Sequence, residues 1–320
     1  MAASKQRPLW SGLPASVRAD IETLVGGRVA RADNCAGGFS AGFASRLALF
    51  DGRRVFVKAM HAAAWPFEAK LYRAEAAVAT ALPATVPAPR LLGTCDDGQW
   101  VMLAFEDVEG DQPRQPWDRE TLDRVAAAIV QFARAVTPSP VPVADDHPRL
   151  GGWDAIAGDP TLLDRLSTHS AWAATHLPTL IALESEGLVA ARGESLVHFD
   201  LYPHNILLTP ERVMFIDWPH ARLGAPVIDL VMLLSSVAAD GVNPEPLLDA
   251  AAGERTADTT AITAILAANA GLLIAGGVAP MPPGLEAIAT AKLRLGLGAV
   301  NWLQQRSTAM GGWPPPRGLW

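Results

Sequence analysis

The chain has 320 residues, of which half are hydrophobic and only 18% are charged, and its formal net charge is −7. This length allows a sizeable core in one large or two modest domains, and the composition excludes a disordered chain. The negative charge argues against a nucleic-acid partner. Cys35 and Cys95 stand alone, and the amino terminus lacks the apolar stretch of a signal peptide, so we expect a cytoplasmic protein without disulfides.

The first hundred residues are predicted to form a small region of strands with few helices. Apolar spacing predicts an opening helix, and runs of branched and aromatic residues then predict about five strands, with one helix between the third and the fourth. In order, these are a helix over 14–25, strands over 28–33, 44–50 and 53–58, a helix over 65–82, and strands over 90–92 and 99–105.

Two features of this region suit the binding of phosphate groups. A glycine-rich turn between the first two strands includes Gly38 and Ser40, and such a turn presents backbone N–H groups to anions, although an ordinary β-turn has the same composition. Lys58 ends the third predicted strand. Either Glu75 or Glu68, one heptad apart on the next helix, should pair with it; Glu75 is preferred because small residues surround it.

The remainder of the chain is mainly helical in pattern. Helices are predicted over 121–136, 162–188 and 285–306, and residues 230–237 form an apolar run. The uncharged stretch 261–281 is long enough to span a bilayer, but its alanine and glycine content predicts a buried helix instead. We therefore expect no membrane partner.

The stretch from His198 to Asp217 carries the clearest chemical signal. His198, Asp200 and Asn205 have the His-x-Asp-Leu-x-x-x-Asn spacing of a kinase catalytic loop. A β-hairpin predicted over 206–216 would bring Asn205 and Asp217 close enough to share one Mg²⁺, which phosphoryl transfer from ATP requires. His198 and Asp200 are thus the catalytic candidates, with Asp200 accepting the proton of the attacking hydroxyl, and Asn205 and Asp217 are the metal ligands.

Two other features of the sequence would bind ATP if ATP is the phosphoryl donor. Lys58 would reach the α- and β-phosphates. The backbone from Glu106 to Val108, which follows the last predicted strand, would meet the edge of the adenine, whereas the side chains of this segment are interpreted as solvated linker charges.

These motifs together resemble the aminoglycoside phosphotransferase family, the small-molecule branch of the protein-kinase-like fold. Residues 217–229 are also similar to the Asp-Trp-x-x-Ala-x-x-Gly-x-x-x-x-Asp pattern of that family. The resemblance implies an α+β, two-lobed fold, with a β-rich N-lobe over 1–107 and a helical C-lobe over 108–320. It also implies ATP and Mg²⁺ as cofactors, and a structural role for Asp229 in bracing the catalytic loop.

Departures from regulated protein kinases point to a small acceptor. Phe199 stands where those kinases carry arginine, Trp218-Pro219 replaces Phe-Gly, and no Ala-Pro-Glu follows. The expected acceptor is a hydroxyl of an antibiotic such as an aminoglycoside, which would link the protein to antibiotic resistance, or of a sugar or amino-alcohol metabolite. Five acids between the hinge, residues 106–108, and the catalytic loop favour a cationic acceptor, and two tryptophans offer a stacking alternative. They are Asp154, Asp159, Asp164, Glu184 and Glu186, with Trp153 and Trp172.

Two other classes of function are weighed against this one. A cluster of histidines and aspartates would suit a metal-dependent hydrolase; its members are His198, Asp200, His204, Asp217 and His220. The hydrolase leaves Lys58 unexplained, and a non-catalytic ATP-binding scaffold leaves the base Asp200 unexplained. The sequence leaves the oligomeric state and the choice between ATP and GTP open.

Overall fold

The computed structural model describes residues 7–35, 41–142, 149–252, 259–281, 285–309 and 311. In these ranges, the strands β1 to β9 are Val29–Asn34, Phe43–Leu49, Arg54–His61, Leu91–Asp96, Trp100–Glu106, Ser195–Val197, Ile206–Leu208, Val213–Phe215 and Arg222–Gly224. The helices α1 to α11 are Ala15–Val25, Pro66–Ala81, Arg119–Ala135, Trp153–Ala157, Pro160–His169, Ala171–Thr175, Leu177–Ala190, Ile228–Ala239, Glu245–Ala252, Thr259–Val278 and Glu286–Ala309.

Contacts within the chain define two compact units. Unit 1 consists of Met1–Gln112, Pro140–Pro142 and His204–Ala221; unit 2 consists of Pro113–Ser139, Val143–Pro203 and Arg222–Trp320. The division predicted after residue 107 assigned the hairpin β7–β8 to the second lobe. The hairpin instead belongs to unit 1, because Leu208 exchanges backbone hydrogen bonds with Asp111, and the Phe215 N–H donates to the Pro87 carbonyl.

Unit 1 is built on an antiparallel sheet with the strand order β1-β2-β3-β5-β4, and α2 connects β3 to β4. Side chains alternate between the two faces along β3. Val55 and Val57 pack on one face with apolar residues of α1, whereas Met60 packs on the opposite face with residues of α2 such as Tyr72. Lys58 lies two positions before Met60 in the strand and therefore shares its face.

One predicted boundary in this sheet is wrong. The sequence placed Lys58 at the end of its strand, but β3 continues to His61. The three added residues, Ala59, Met60 and His61, pair with residues of β5. Lys58 therefore lies inside a paired strand, which holds its backbone rigidly.

Unit 2 is mainly helical, and α10 forms its centre. This helix is long and apolar enough to cross a membrane, yet 72% of its apolar window is buried within the structure. It packs against α7 and α11. Gly187 of α7 permits the close approach, because a Cβ there would lie 2.2 Å from the Ala264 carbonyl oxygen. The predicted buried helix is confirmed.

Candidate active site

Lys58 forms ion pairs with two carboxylates in unit 1. Its Nζ donates to Glu75 Oε1 at 2.7 Å, to Glu75 Oε2 at 2.8 Å and to Asp217 Oδ1 at 2.8 Å. The glutamate of α2 that pairs with Lys58 is Glu75, the preferred of the two candidates, because this position of the helix is buried. The structure thus shows Lys58 paired with a glutamate of α2, as expected, and adds a contact with Asp217 that the sequence did not predict.

The surroundings of Lys58 keep its ammonium charged. Burial acts to lower the pKa of Lys58, but the carboxylates of Asp217 and Glu75 outweigh burial and raise this pKa above its ordinary value. A fixed positive charge on a rigid strand can neutralise phosphate oxygens without a change in protonation.

The hairpin β7–β8 places Asn205 and Asp217 at its two open ends. Ile206 pairs with Phe215, and the Ile216 N–H donates to the Asn205 carbonyl at 3.0 Å. Asp217 has a left-handed backbone with φ 68°, a sparsely populated conformation for an aspartate and one found in functional sites. Its carboxylate is 46% exposed, so it is open to a ligand even though it contacts Lys58.

The donor set at this hairpin suits a hard divalent cation. Mg²⁺ is typically bound through one or two protein oxygens, with phosphates and water completing the shell. Asn205 and Asp217 offer an amide oxygen and a carboxylate, and both line one pocket. Among the described residues, no group of three or more His, Cys, Asp or Glu side chains is placed to hold a metal ion. The cluster required by the metal-dependent hydrolase is therefore not assembled in that part of the chain.

The pocket beside Lys58 lies within unit 1 and has a volume of about 470 Å³, a size typical of small-molecule sites. Its apolar wall includes Ala44, Phe56, Phe105, Val108, Leu207 and Ile216. Its charged and polar wall includes Arg46, Lys58, Glu75, Glu106, Asn205 and Asp217. The apolar wall suits the base of a nucleotide. The ammonium of Lys58 and the side-chain oxygens of Asn205 and Asp217 suit its phosphates and their metal ion. Gly38 and Ser40 lie outside the described residues.

The hinge, residues 106–108, differs in one respect from what the sequence predicted. The Glu106 N–H donates to the Arg90 carbonyl at 2.9 Å, and the Val108 carbonyl accepts from Arg46 Nη2 at 3.0 Å. Asp107 is not a solvated linker charge, because its side chain is only 3% exposed and forms an ion pair with Arg46. This burial could not be predicted from local sequence, since the arginine comes from a distant strand.

Unit 2 contains His198 and Asp200. The N–H groups of His198 and Phe199 donate to the two carboxylate oxygens of Asp229 at 2.8 and 2.9 Å. Phe199 adopts a left-handed backbone with φ 63°, and the Arg222 guanidinium lies 4.4 Å from the centre of its ring. Asp200 remains partly exposed, whereas His198 is fully buried. The burial of His198 favours a role in shaping the loop over direct contact with an acceptor.

The buried carboxyl of Asp229 has a consequence for stability. Burial raises the pKa of Asp229 to about 6, against the opposing hydrogen bonds from His198 and Phe199. The ordinary pKa of an aspartate is 3.8, so the folded protein binds this proton more tightly than the unfolded chain does. The stability that results from the neutral carboxyl is fully present below about pH 4 and is lost as the pH rises through about 6.

We therefore expect the unfolding free energy of the wild type to fall relative to that of Asp229→Asn as the pH rises from about 4 to 7. The expected fall is about 3 kcal/mol, since one unit of pKa shift corresponds to about 1.4 kcal/mol. Urea titrations of both proteins over this range measure it. A difference that stays constant with pH, or that grows as the pH rises, would contradict the assignment.

The acids proposed to attract a cationic acceptor divide into two groups. Asp159 caps the N-terminus of α5 by accepting from the N–H groups of Thr161 and Leu162. Glu184 is buried and accepts from the N–H groups of Gly152 and Trp153. Asp159 and Glu184 therefore stabilise helix ends, whereas the exposed acids Asp154, Asp164 and Glu186 are the ones that can meet a ligand.

The two tryptophans proposed for stacking also differ. Trp153 is fully buried, and its indole N–H donates to the Ala267 carbonyl at 2.8 Å, so it belongs to the core of unit 2. Trp172 is partly exposed and stacks on His176, with 4.5 Å between ring centres. Of the two, Trp172 is the one available to a ligand.

Comparisons with solved structures identify the fold. A thermostable mutant of aminoglycoside phosphotransferase APH(4)-Ia, in complex with ADP and hygromycin B, has a TM-score of 0.54 and 13% identity, and the match covers 91% of this chain and 98% of that one. The amicoumacin kinase hAmiN, in complex with AMP-PNP, Ca²⁺ and Ami, has a TM-score of 0.51 and 13% identity over 91% and 95%. Choline kinase from Cryptosporidium parvum Iowa II has a TM-score of 0.53 and 11% identity over 96% and 94%. The predicted α+β protein-kinase-like fold is confirmed.

The sequence itself places the chain in a family. A comparison with curated proteins finds no match. The family model described as the phosphotransferase enzyme family, APH, matches residues 38–264, which include Lys58, Glu75 and the whole segment from His198 to Asp229. The predicted enzyme class, a phosphotransferase, is confirmed by this match. With its lysine, its catalytic-loop motif and its hairpin aspartate all inside the matched region, the chain belongs to the phosphotransferase enzyme family.

Proposed function

We propose that this protein transfers the γ-phosphoryl group of ATP to a hydroxyl group of a small molecule. The observation that supports this most is the contact of Lys58 with both Glu75 and Asp217 in a pocket that Asn205 also lines. A rigid cation and two oxygen ligands are the groups that positioning and charge neutralisation of a triphosphate require. ADP or AMP-PNP is bound in two of the similar structures, and one of these also contains Ca²⁺.

The residues of unit 1 would hold the nucleotide and its metal. Asn205 and Asp217 would bind Mg²⁺, which neutralises charge on the phosphate oxygens. Lys58 would bind the α- and β-phosphates, and Glu75 would keep it in place. The backbone of Glu106 and Val108 would face the base, next to the apolar wall of the pocket.

Asp200 is proposed as the catalytic base. It takes up the proton of the acceptor hydroxyl as the hydroxyl oxygen bonds to the γ-phosphorus and the bond from that phosphorus to ADP breaks. The carboxylate of Asp229 holds the backbone at His198 and Phe199, directly before Asp200, through two hydrogen bonds. This bracing gives the loop that carries Asp200 a fixed shape.

The acceptor is proposed to be a small hydroxylated compound, such as an antibiotic, a sugar or an amino alcohol. Hygromycin B is bound to the similar aminoglycoside phosphotransferase, and two other similar structures are kinases of amicoumacin and choline by name. The chain also lacks the arginine before the catalytic aspartate and the Ala-Pro-Glu segment of regulated protein kinases.

A cationic acceptor predicts a dependence on salt. We expect the KM of an aminoglycoside to rise several-fold between low and high ionic strength, because attraction between exposed charges is screened over about 10 Å at 0.1 M salt. Asp154→Asn and Asp164→Asn should each raise this KM at low salt, and exposed Asp249 on α9 provides the control as Asp249→Asn.

Initial rates at a series of salt concentrations measure the effect. A KM that does not respond to salt or to these two changes would exclude the cationic acceptor, and the assignment of the phosphotransferase would stand.

A further inference from the structure

Two arginines from adjacent strands meet at the carboxylate of Asp107, directly after β5. Arg46 of β2 lies 3.2 Å from it and Arg54 of β3 lies 2.8 Å from it. The Asp107 side chain is only 3% exposed, so both guanidinium groups are held by a carboxylate that is largely removed from water. An arginine anchored in this way cannot rotate freely, because its release would leave the buried carboxylate poorly compensated.

Arg46 also occupies one acceptor of the hinge. Its Nη2 donates to the Val108 carbonyl at 3.0 Å, and both residues line the pocket. No described residue accepts a hydrogen bond from the Val108 N–H. At Val108 the backbone therefore presents a donor without a described partner next to a carbonyl that is already hydrogen-bonded to a cation.

Adenine and guanine require different hydrogen-bonding partners from the backbone of Val108. Adenine offers the N1 acceptor and a 6-amino donor, whereas guanine offers the O6 acceptor followed by two donors, N1–H and the 2-amino group. A guanine whose O6 accepts from the Val108 N–H needs a carbonyl for its donors. The Val108 carbonyl is engaged by Arg46, and the guanidinium charge repels N–H donors, so guanine would lose hydrogen bonds on leaving water.

We propose that Arg46 makes this pocket selective for adenine over guanine nucleotides. The proposal rests on the proposed function, in which the pocket holds the nucleotide. Arg46 acts as a specificity-determining residue, Asp107 anchors it, and Arg54 supports Asp107 without contact to the Val108 carbonyl. The ATP or GTP preference, which the motifs leave open, follows from this one side chain.

Calorimetric titration with Mg²⁺·ADP and Mg²⁺·GDP tests the proposal without turnover. The wild type should bind ADP at least about tenfold more tightly than GDP, which corresponds to one hydrogen bond. Arg46→Met keeps most of the side-chain volume and removes the charge and the donors, so the ratio of the two Kd values should fall about tenfold. Arg54→Met, which removes the other guanidinium at Asp107, is the matched control and should leave the ratio unchanged.

The outcomes are separable. A ratio that is the same in Arg46→Met and the wild type overturns the role of Arg46 while the proposed function stands. A wild type that prefers GDP also overturns the role of Arg46, and it changes the proposed donor from ATP to GTP while the transfer of a phosphoryl group stands. Binding of neither nucleotide by the wild type overturns the proposed function and this inference with it. If Arg46→Met does not fold, Arg46→Lys serves instead, because one ammonium cannot reproduce the planar fork that reaches both Asp107 and Val108, and the ratio should again fall.

Discussion

Replacement of Asp200 by asparagine is expected to lower kcat by about 100-fold or more while the affinity for Mg²⁺·ATP changes little. A general base contributes roughly 10² to 10⁴ in rate, and its loss affects the step in which the hydroxyl proton is transferred. The partly exposed Asp200 lies in unit 2, whereas the residues proposed to bind the nucleotide lie in unit 1. Nucleotide binding should therefore persist in the variant.

Single-turnover rates and calorimetric titration with Mg²⁺·ATP measure the two quantities separately. Asp249→Asn removes an exposed carboxylate elsewhere in unit 2 and is the matched control, for which neither quantity should change. A loss of nucleotide affinity in Asp200→Asn as large as its loss of rate would be inconsistent with a base that acts on the acceptor.

Replacement of Asp217 by alanine is expected to remove most of the dependence of nucleotide binding on Mg²⁺. Asp217 is a proposed ligand of the metal in the ground state, so its loss should weaken Mg²⁺·ADP binding by at least about tenfold, given that changes to outer partners of metal sites already cost 10- to 100-fold. Lys58 keeps its contact with Glu75 and can still bind phosphate in this variant.

The measurement is a titration of ADP with and without Mg²⁺. In the wild type the metal should tighten binding strongly, whereas in Asp217→Ala both titrations should give nearly the same Kd. Asp217→Asn retains the size of the side chain and serves as a second variant with an intermediate effect. If Mg²⁺ tightens binding equally in Asp217→Ala and the wild type, Asp217 is not a ligand.

The parts of the fold that the sequence predicted share one property, namely a pattern formed by residues that are near one another in the chain. The five strands of unit 1 and the helix α2 follow from alternation and helical spacing. The hairpin β7–β8 follows from two apolar runs around a turn, in which the Thr209 N–H donates to the Arg212 carbonyl at 3.0 Å. The kinase-like pattern also predicted that Lys58 would meet a glutamate of α2, and the small residues around Glu75 favoured it over Glu68.

The missed features depend on contacts between distant segments. Strands β6 and β9 have only three residues each and, unlike β7 and β8, are not joined by a short turn. They exist because each pairs with the other. The burial of Asp107 depends on two arginines more than fifty positions earlier in the chain. Glu184 looked like a surface acid, and only the approach of Gly152 and Trp153 shows that it caps a helix.

The central claim is tested most directly by transfer of phosphate to an acceptor. Purified protein, Mg²⁺ and ATP would be incubated with a panel of aminoglycosides, other hydroxylated antibiotics, sugars and amino alcohols, with Asp200→Asn as the blank. Mass spectrometry would then follow both ADP and the acceptors. We predict that ADP forms in the same amount as one phosphorylated acceptor, which has gained a single phosphoryl group on oxygen. Neither product should form in the blank. ADP formation that no acceptor increases, or equal phosphorylation by Asp200→Asn, would contradict the account.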